Sequence, residues 1–286
     1  MKESLFFSPK TLAEALTLLD KYREKAVLVN GGTDIVEKIS HRMIDPEVLV
    51  FIQNIPELKT IRKEAGFVVL GGTASYKTVL ESPLCASFDV LIQSVREIGS
   101  PPIRVLGTPA GNIGTAVPAA DCNVALIALD AQIVLAKVGG ERTIAAKDMF
   151  VSYCRTQMEL GELIKEIRIP VTGAGTATAY AKLAKRKSQD IAQVAIGVSL
   201  TVEAGVCKDI VIAMGAVGPV AMRATSMEQA FIGKNIEDGL LAIKNTVPQE
   251  ARLRSPRNKD YKEAVISILV ERVVKMAHAS LSGGEK

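Results

Sequence analysis

Residues 29–35 of this chain read Val-Asn-Gly-Gly-Thr-Asp-Ile, and residues 107–114 read Gly-Thr-Pro-Ala-Gly-Asn-Ile-Gly. The apolar residues 26–29 come before the first segment and predict a buried strand that enters a glycine turn ahead of a helix. Such a turn leaves backbone N–H groups free, and glycine, which has no Cβ, lets an anion approach the backbone closely. The two segments together predict two phosphate-binding turns of one cofactor site.

The first turn, taken alone, leaves two interpretations open. It lacks the third glycine of a dinucleotide-binding fingerprint, and it lacks the Gly-Lys-Ser/Thr of a P-loop. It is therefore either a pyrophosphate turn or an ordinary tight turn that Thr33 caps.

Length and composition indicate a folded protein of about two domains. The chain has 286 residues, 48% of them apolar, and a net charge of +4. No apolar run reaches the ~18 residues of a membrane span, and residues 1–16 contain no signal-peptide core, so we expect a cytoplasmic protein. The basic segment at residues 182–187 contains no aromatic residue, which argues against nucleic-acid binding.

The cysteines and histidines give no support for a metal site. A zinc or iron–sulfur site would typically need closely spaced cysteines, such as a Cys-x-x-Cys pair. The four cysteines of this chain lie far apart, and no such pair is present. His41 and His278, the only histidines of the sequence, stand near opposite ends of it, which argues against a Ser-His-Asp site. We therefore predict no metal ligands and no catalytic side chain in this chain, whose chemistry then comes from a cofactor.

The apolar periodicity predicts an α+β fold in three parts. Residues 1–172 form a cofactor-binding domain, divided into a small βαβ-like unit at about residues 1–55 and a larger α+β subdomain at 56–172. Residues 171–178, rich in Gly, Ala and Thr, indicate a linker. Residues 176–286 form a C-terminal α+β domain with a small antiparallel sheet packed on helices. The pattern predicts helices at residues 11–22, 33–40, 76–81, 90–98, 121–129 and 261–277, and strands at 26–29, 46–52, 67–70, 132–135, 164–169, 193–202 and 210–216.

The second glycine segment leads into Pro118-Ala119-Ala120-Asp121. Together with the first turn, it resembles the flavin-binding (medium) subunit of the molybdenum hydroxylases, the group that includes xanthine dehydrogenase, nicotinate dehydrogenase and carbon monoxide dehydrogenase. The similarity runs from about Phe6 to about Ala277. It implies FAD in this chain, a molybdenum cofactor in a large partner chain and [2Fe-2S] clusters in a small one, assembled as a dimer of heterotrimers. It also implies electron transfer from the clusters through FAD to NAD⁺ or another acceptor, with a xanthine or purine dehydrogenase as the best guess.

The resemblance also assigns residues to the cofactor. Those of the two turns bind the diphosphate and the ribityl chain, whereas isolated positions lie near the adenine or the flavin ring. The residues so assigned are Leu28, Val29, Asn30, Gly31, Gly32, Thr33, Asp34, Ile35, Ile98, Thr108, Pro109, Ala110, Gly111, Asn112, Asp121, Ile164 and Lys182.

Five of these positions carry an alternative or a departure from the family. Ala110 stands where the family usually has glycine, so its methyl group requires a negative φ. Asp121 accepts a hydrogen bond from the cofactor, caps a helix, or does both. Lys182 either faces the ring, where a cation stabilises reduced anionic flavin at N1, or is exposed to solvent. Ile98 and Ile164 either contact the cofactor or are plain core residues.

Two other functions are compatible with the sequence. A stand-alone FAD-dependent reductase, like the cell-wall enolpyruvyl reductase, needs its own substrate-binding residues and proton donor, and none is recognisable in the C-terminal part. A flavin-free assembly subunit has two glycine turns that are merely structural, and Ala110 is the feature that favours it. Retained flavin distinguishes the first from the second, and partner chains argue against the stand-alone enzyme.

Overall fold

The structure of the protein is a computed structural model that describes residues 4–186, 188–253 and 258–282. It begins with a three-stranded parallel sheet in the order β1-β3-β2. Alternate strand residues, Val48 and Val50 among them, pack against Ala15 and Leu19 of the first helix. The elements of this part are β1 (Leu5–Phe7), α1 (Leu12–Tyr22), β2 (Ala26–Val29), α2 (Ile35–Ser40) and β3 (Val48–Phe51). The predicted βαβ-like unit is thus present, with β1 as an additional strand.

The second part is a five-stranded antiparallel sheet in the order β4-β5-β10-β6-β7, with five helices inserted between its second and third strands along the chain. A short hairpin, β8 and β9, precedes its last strand. The elements are β4 (Ile61–Glu64), β5 (Phe67–Gly71), α3 (Tyr76–Glu81), α4 (Asp89–Arg96), α5 (Pro101–Leu106), α6 (Pro109–Thr115), α7 (Asp121–Ala128), β6 (Gln132–Lys137), β7 (Gly140–Ala145), β8 (Phe150–Ser152), β9 (Arg155–Thr156) and β10 (Leu163–Pro170).

The third part is a four-stranded antiparallel sheet in the order β11-β12-β13-β14. The predicted hairpin is formed by β12 and β13, and Gly205 in its turn has a φ of +78°. The first strand begins at Thr176, so the connection after β10 is shorter than predicted. The elements are β11 (Thr176–Leu183), β12 (Val194–Glu203), β13 (Val206–Gly215), β14 (Met222–Arg223), α8 (Thr225–Glu228), α9 (Ile236–Ile243) and α10 (Lys259–Ser282). The predicted fold class is confirmed.

Helix α7 joins the second and third parts. All of its residues are buried, because it packs against α4 on one side and against β12 and β13 on the other. Gly197 and Gly215 make room for it, since a Cβ at these positions would lie 3.2 and 2.6 Å from the methyl groups of Val124. Helix α10 covers the opposite face of the sheet. The sheet is therefore packed between its own long helix and two helices of the preceding part.

Helix α4 is docked on β11 by three hydrogen bonds at successive turns. The Val90 N–H donates to Thr178 Oγ1 at 3.1 Å, and Gln93 Oε1 accepts from the Tyr180 N–H at 2.7 Å. One turn later, the Lys182 ammonium donates to the Glu97 carbonyl at 3.0 Å. Because β11 is the edge strand of its sheet, Gln93 supplies the acceptor that a neighbouring strand would otherwise provide. These bonds fix the end of α4, where the cavity described below begins.

Within the described ranges, no helix combines the length and the hydrophobicity that crossing a bilayer requires.

The Thr178 hydroxyl gives a test of this docking. Replacing Thr178 with Val keeps the shape of the side chain but leaves the buried Val90 N–H without an acceptor, which costs about 1–3 kcal/mol. We expect Thr178→Val to lower the free energy of unfolding by that amount in urea denaturation. Thr176→Val is the matched control on the same strand, because the Thr176 hydroxyl bonds to the partly exposed Thr201 hydroxyl and, among the described residues, to no backbone N–H. Equal losses in the two variants would contradict the role of the Thr178–Val90 bond.

A buried carboxylate makes stability depend on pH in the second part. Glu166 on β10 accepts from Arg62 Nη2 at 2.8 Å and from Arg168 Nε at 2.7 Å, and its side chain is 3% exposed. Burial alone raises the pKa of Glu166, but the hydrogen bonds and charges of Arg62 and Arg168 outweigh it, so the net pKa lies below its usual value.

The lowered pKa of Glu166 predicts the sign of the effect. A carboxyl group whose folded-state pKa is depressed stabilises the fold above its unfolded pKa and loses that contribution as pH falls through the folded value. Glu166→Gln should therefore destabilise the protein at neutral pH and differ progressively less from the wild type on the acid side. Urea midpoints measured for both proteins across this range check it, and a difference independent of pH would contradict it.

Candidate functional site

A cavity of about 480 Å³ lies between the turn after β2 and the segment that contains α5 and α6. We call it the inter-turn cavity. It is lined by Leu28, Asn30, Gly31, Gly32, Thr33, Asp34, Ile35, Lys38, Ile52, Tyr76, Ile98, Ile103, Gly107, Thr108, Ala110, Gly111, Asn112, Gly114, Thr115, Cys154, Met158 and Ile164. The structure thus brings both glycine segments of the sequence to one site.

The two turns touch through their backbones. A Cβ on Gly31 would lie 2.0 Å from the Leu106 carbonyl oxygen, so no other residue fits there without a shift of the backbone. The same carbonyl accepts from Gln53 Nε2 at 3.0 Å, and the next one, of Gly107, accepts from the Tyr76 N–H at 2.9 Å. Gly32 follows with a φ of +73°, a conformation that glycine adopts without cost. This close approach brings the two turns together beside the cavity that both line.

Backbone donors are concentrated at both turns. Within the described parts of the chain, the N–H groups of four consecutive residues, 32–35, donate no hydrogen bond to another protein group. On the opposite side, the Gly111 N–H donates to Thr108 Oγ1 at 2.9 Å, whereas the N–H groups of Thr108 and Ala110 have no acceptor among the described residues. Residues 32–35, Thr108 and Ala110, whose N–H groups lack acceptors in the described ranges, all line the cavity. Free N–H groups on two sides of one cavity are suited to bind a diphosphate.

Two asparagine side chains add acceptors. Asn30 donates through Nδ2 to the Gly72 carbonyl at 2.7 Å, but its buried Oδ1 has no partner among the described residues. The buried Oδ1 of Asn112 is likewise without a partner in these ranges. Because buried acceptors are normally satisfied, both oxygens are free to accept hydrogen bonds from the hydroxyl groups of a ligand.

The rest of the wall is largely apolar. The isoleucines Ile98, Ile103, Ile52, which directly follows β3, and Ile164 on β10 line the cavity together with the buried Tyr76. A flat, largely apolar ring system fits such a wall. Diphosphate donors, hydroxyl acceptors and an apolar wall together fit a dinucleotide with an aromatic ring.

Four of the predicted cofactor residues do not line the cavity. Val29 is buried in β2, and Pro109 is the buried first residue of α6. Asp121 and Lys182 form a buried ion pair at 3.0 Å, with side chains 9% and 5% exposed. Ala110, in contrast, lines the cavity within α6 and has a negative φ, so its methyl group is compatible with the backbone there.

Three alternatives from the sequence are wrong. Thr33 does not cap α2, because Asp34 holds that position and makes no side-chain cap bond. Asp121 does not cap α7 either: it is the first helical residue, and its carboxylate accepts from the Tyr180 hydroxyl and the Lys182 ammonium. Lys182 is not exposed, because the fold of β11 against α4 encloses its side chain.

The Lys182 ammonium has three acceptors: Asp121 Oδ2 at 3.0 Å and the carbonyls of Glu97 at 3.0 Å and Asp190 at 3.2 Å. Burial raises the pKa of Asp121, and the charge of Lys182 and the bonds from Tyr180 and Lys182 offset this only in part. All three N–H bonds of the ammonium are thus used within the protein. Contact of Lys182 or Asp121 with a flavin stays a prediction.

Several residues that line the cavity were not predicted from the sequence. Lys38 is four residues after Asp34, which is the spacing of neighbours on a helix surface. The sequence alone could therefore have indicated that the two side chains pair. Tyr76 follows a second Gly-Gly-Thr, at residues 71–73, and its position depends on tertiary packing. Cys154, Met158 and Ile103 reach the cavity from loops and helices whose placement the sequence pattern does not reveal.

Comparison with protein families identifies both halves of the chain. Residues 2–172 match the family model described as FAD binding domain in molybdopterin dehydrogenase, and residues 178–277 match the CO dehydrogenase flavoprotein C-terminal domain. The chain belongs to this flavoprotein family. The match to an FAD-binding domain confirms the predicted cofactor. A molybdenum cofactor and [2Fe-2S] clusters in partner chains are features of the family.

Known relatives resemble this FAD subunit over nearly its whole length. The nicotinate dehydrogenase FAD-subunit of Eubacterium barkeri is 34% identical and covers 89% of this chain and 90% of its own. The carbon monoxide dehydrogenase medium chain of Hydrogenophaga pseudoflava is 32% identical, with 96% of each chain covered. A solved structure of carbon monoxide dehydrogenase from that organism superposes with a TM-score of 0.89 at 31% identity, over 97% of this chain and 98% of the other.

Gly32 offers a test of the turn itself. A methyl group at Gly32 has space, with Val36 Cγ2 at 3.4 Å, but a φ of +73° strains any other residue. Gly66, with a φ of +84° and open surroundings in the β4–β5 turn, is the matched control. We expect Gly32→Ala and Gly66→Ala each to cost about 1–2 kcal/mol of stability.

Only Gly32→Ala should weaken FAD binding, by about tenfold or more, because its methyl group would stand where the sequence predicts that a phosphate approaches the backbone. Titration of the apoprotein with FAD measures the dissociation constants of both variants. An unchanged FAD affinity in Gly32→Ala would contradict the prediction that the diphosphate binds at this turn.

Proposed function

We propose that this chain is the electron-transfer subunit of a molybdenum hydroxylase assembled from three kinds of chain, a dimer of heterotrimers, and that it passes electrons from partner iron–sulfur clusters through FAD to NAD⁺ or another acceptor. The observation that carries the proposal is the set of N–H groups without acceptors in the described ranges, at residues 32–35 on one side of the inter-turn cavity and Thr108 and Ala110 on the other. A diphosphate satisfies donors on both sides at once.

The residues of the chain have distinct roles in this proposal. The N–H groups of the two turns hold the diphosphate, whereas Asn30 Oδ1 and Asn112 Oδ1 accept from ribose or ribityl hydroxyls. Ile98, Ile103 and Ile164 exclude water from the ring system. When bound, FAD exchanges single electrons with iron–sulfur clusters and a hydride with NAD⁺, so it connects the two kinds of transfer.

The buried pair of Asp121 and Lys182 has a proposed place beside the flavin. The positive charge of the Lys182 ammonium would stabilise the reduced anionic ring at N1, as the family resemblance implies. For this contact, the Lys182 ammonium has to exchange one of its three protein acceptors for the ring. The Glu97 and Asp190 carbonyls are the weaker partners to give up, because neither carries a full charge.

The substrate of the whole enzyme is not determined by this chain, because hydroxylation takes place in another subunit. A xanthine or purine substrate stays a proposal, whereas the relatives named above act on nicotinate and carbon monoxide. The division into domains at 1–172 and 176–286 is also retained as a proposal, with the turn between β10 and β11 as the boundary. A cytoplasmic location remains a prediction from the sequence.

The proposal is tested by purifying the chain and recording its visible absorption spectrum, with the released chromophore identified by mass. We expect the two visible bands of a flavin and the mass of FAD. Anaerobic NADH should then bleach these bands if NAD⁺ is the acceptor, since hydride transfer to the flavin is reversible in principle. Persisting bands would point to another acceptor.

Two outcomes contradict the proposal. A folded, colourless protein that cannot be reconstituted with FAD would favour the flavin-free assembly subunit. A flavoprotein that is purified from its own cells without partner chains, and that reduces a substrate by itself, would favour the stand-alone reductase.

A further inference from the structure

The inter-turn cavity is lined by one acidic and one basic side chain. Of the side chains that line it in the described ranges, Asp34 and Lys38 are the two with a formal charge at neutral pH. Their Oδ2 and Nζ atoms lie 2.6 Å apart, and the side chains are 44% and 32% exposed. The two charges therefore cancel at the mouth of the cavity while the protein is free of ligand.

Asp34 presents a difficulty for an anionic ligand. Its backbone N–H is one of the free donors at residues 32–35, so a phosphate bound to these groups comes close to the Asp34 carboxylate. Like charges within a few ångströms repel each other, and at a partly exposed site the interaction is on the order of 1 kcal/mol or more. Without a neighbouring cation, the first turn would combine favourable N–H groups with an unfavourable carboxylate.

We propose that Lys38 is a binding residue for the FAD diphosphate, which neutralises Asp34 and supplies the positive charge that the phosphates face. The inference rests on the proposed function, because it takes the diphosphate to lie at the first turn. Lys38 is suited to the role because it is in the cavity wall, its ammonium carries three donors, and Asp34 occupies only part of them. Asp34 in turn holds the flexible lysine chain at the mouth of the cavity before the ligand arrives.

The chain contains a matched control for this pair. Lys77 and Glu81 on α3 have the same spacing of four residues, at 3.8 Å, but they are more exposed and neither lines the cavity. Lys77→Met removes one lysine from a helical ion pair, as Lys38→Met does, without changing the charge beside the proposed diphosphate.

The experiment measures binding of FAD and of riboflavin, which has no phosphate, to the apoprotein by flavin fluorescence at two salt concentrations. For Lys38→Met we expect the FAD dissociation constant to rise about tenfold at low salt, as loss of one close charge pair implies. The effect should shrink at high salt, and riboflavin binding should not change. Lys77→Met should bind FAD like the wild type.

The double variant Asp34→Asn/Lys38→Met gives the sharper result. Removing the carboxylate removes the repulsion that Lys38 screens, so FAD affinity should recover at least in part relative to Lys38→Met. Thermal unfolding of each variant controls for loss of fold. Unchanged FAD affinity in Lys38→Met would overturn the inference, and so would equal losses for FAD and riboflavin or a double variant weaker than Lys38→Met. Absence of FAD binding in the wild type would instead overturn the proposed function itself.

Discussion

The structure depends on one backbone contact, between Gly31 in the turn after β2 and the Leu106 carbonyl before α6. A single added carbon at Gly31 would stand 2.0 Å from that oxygen, so the two turns meet only because glycine is there. The contact joins the parallel sheet of the first part to the helices of the second. It also explains why two segments 75 or so residues apart in sequence can present their N–H groups to one cavity.

The C-terminal part contributes to this site from a distance. Its edge strand β11 holds α4 through Thr178, Gln93 and Lys182, and α4 ends next to Ile98, which lines the cavity. The position of that wall thus follows from packing between the parts of the chain rather than from the glycine turns. Conversely, Lys182 is buried because α4 packs on the strand that carries it and Asp121, the first residue of α7, pairs with its ammonium.

Local patterns predicted most of the elements, but tertiary contacts decided the roles of individual residues. Helix α3 and the β12–β13 hairpin follow from apolar periodicity and turn residues, which act over a few positions, whereas α7 has no polar face and is buried throughout. Strand β1 has three residues, which is too short for any period to be visible. The local sequence favoured capping roles for Thr33 and Asp121. The Asp121 carboxylate instead accepts a hydrogen bond from the hydroxyl of Tyr180, which is 59 residues away in the chain. Likewise, Lys38 becomes a cavity residue only once the two turns have met.

The central claim is that the two turns bind one diphosphate together, and amide hydrogen exchange with and without FAD tests it most directly. Free N–H groups that gain a phosphate acceptor exchange more slowly, and those elsewhere do not. The account predicts FAD-dependent protection in peptides covering residues 28–38 and 104–116 alike, with little change in the similar Gly-Gly-Thr turn at residues 71–73. Protection confined to one of the two segments, or centred on residues 71–73, would contradict it.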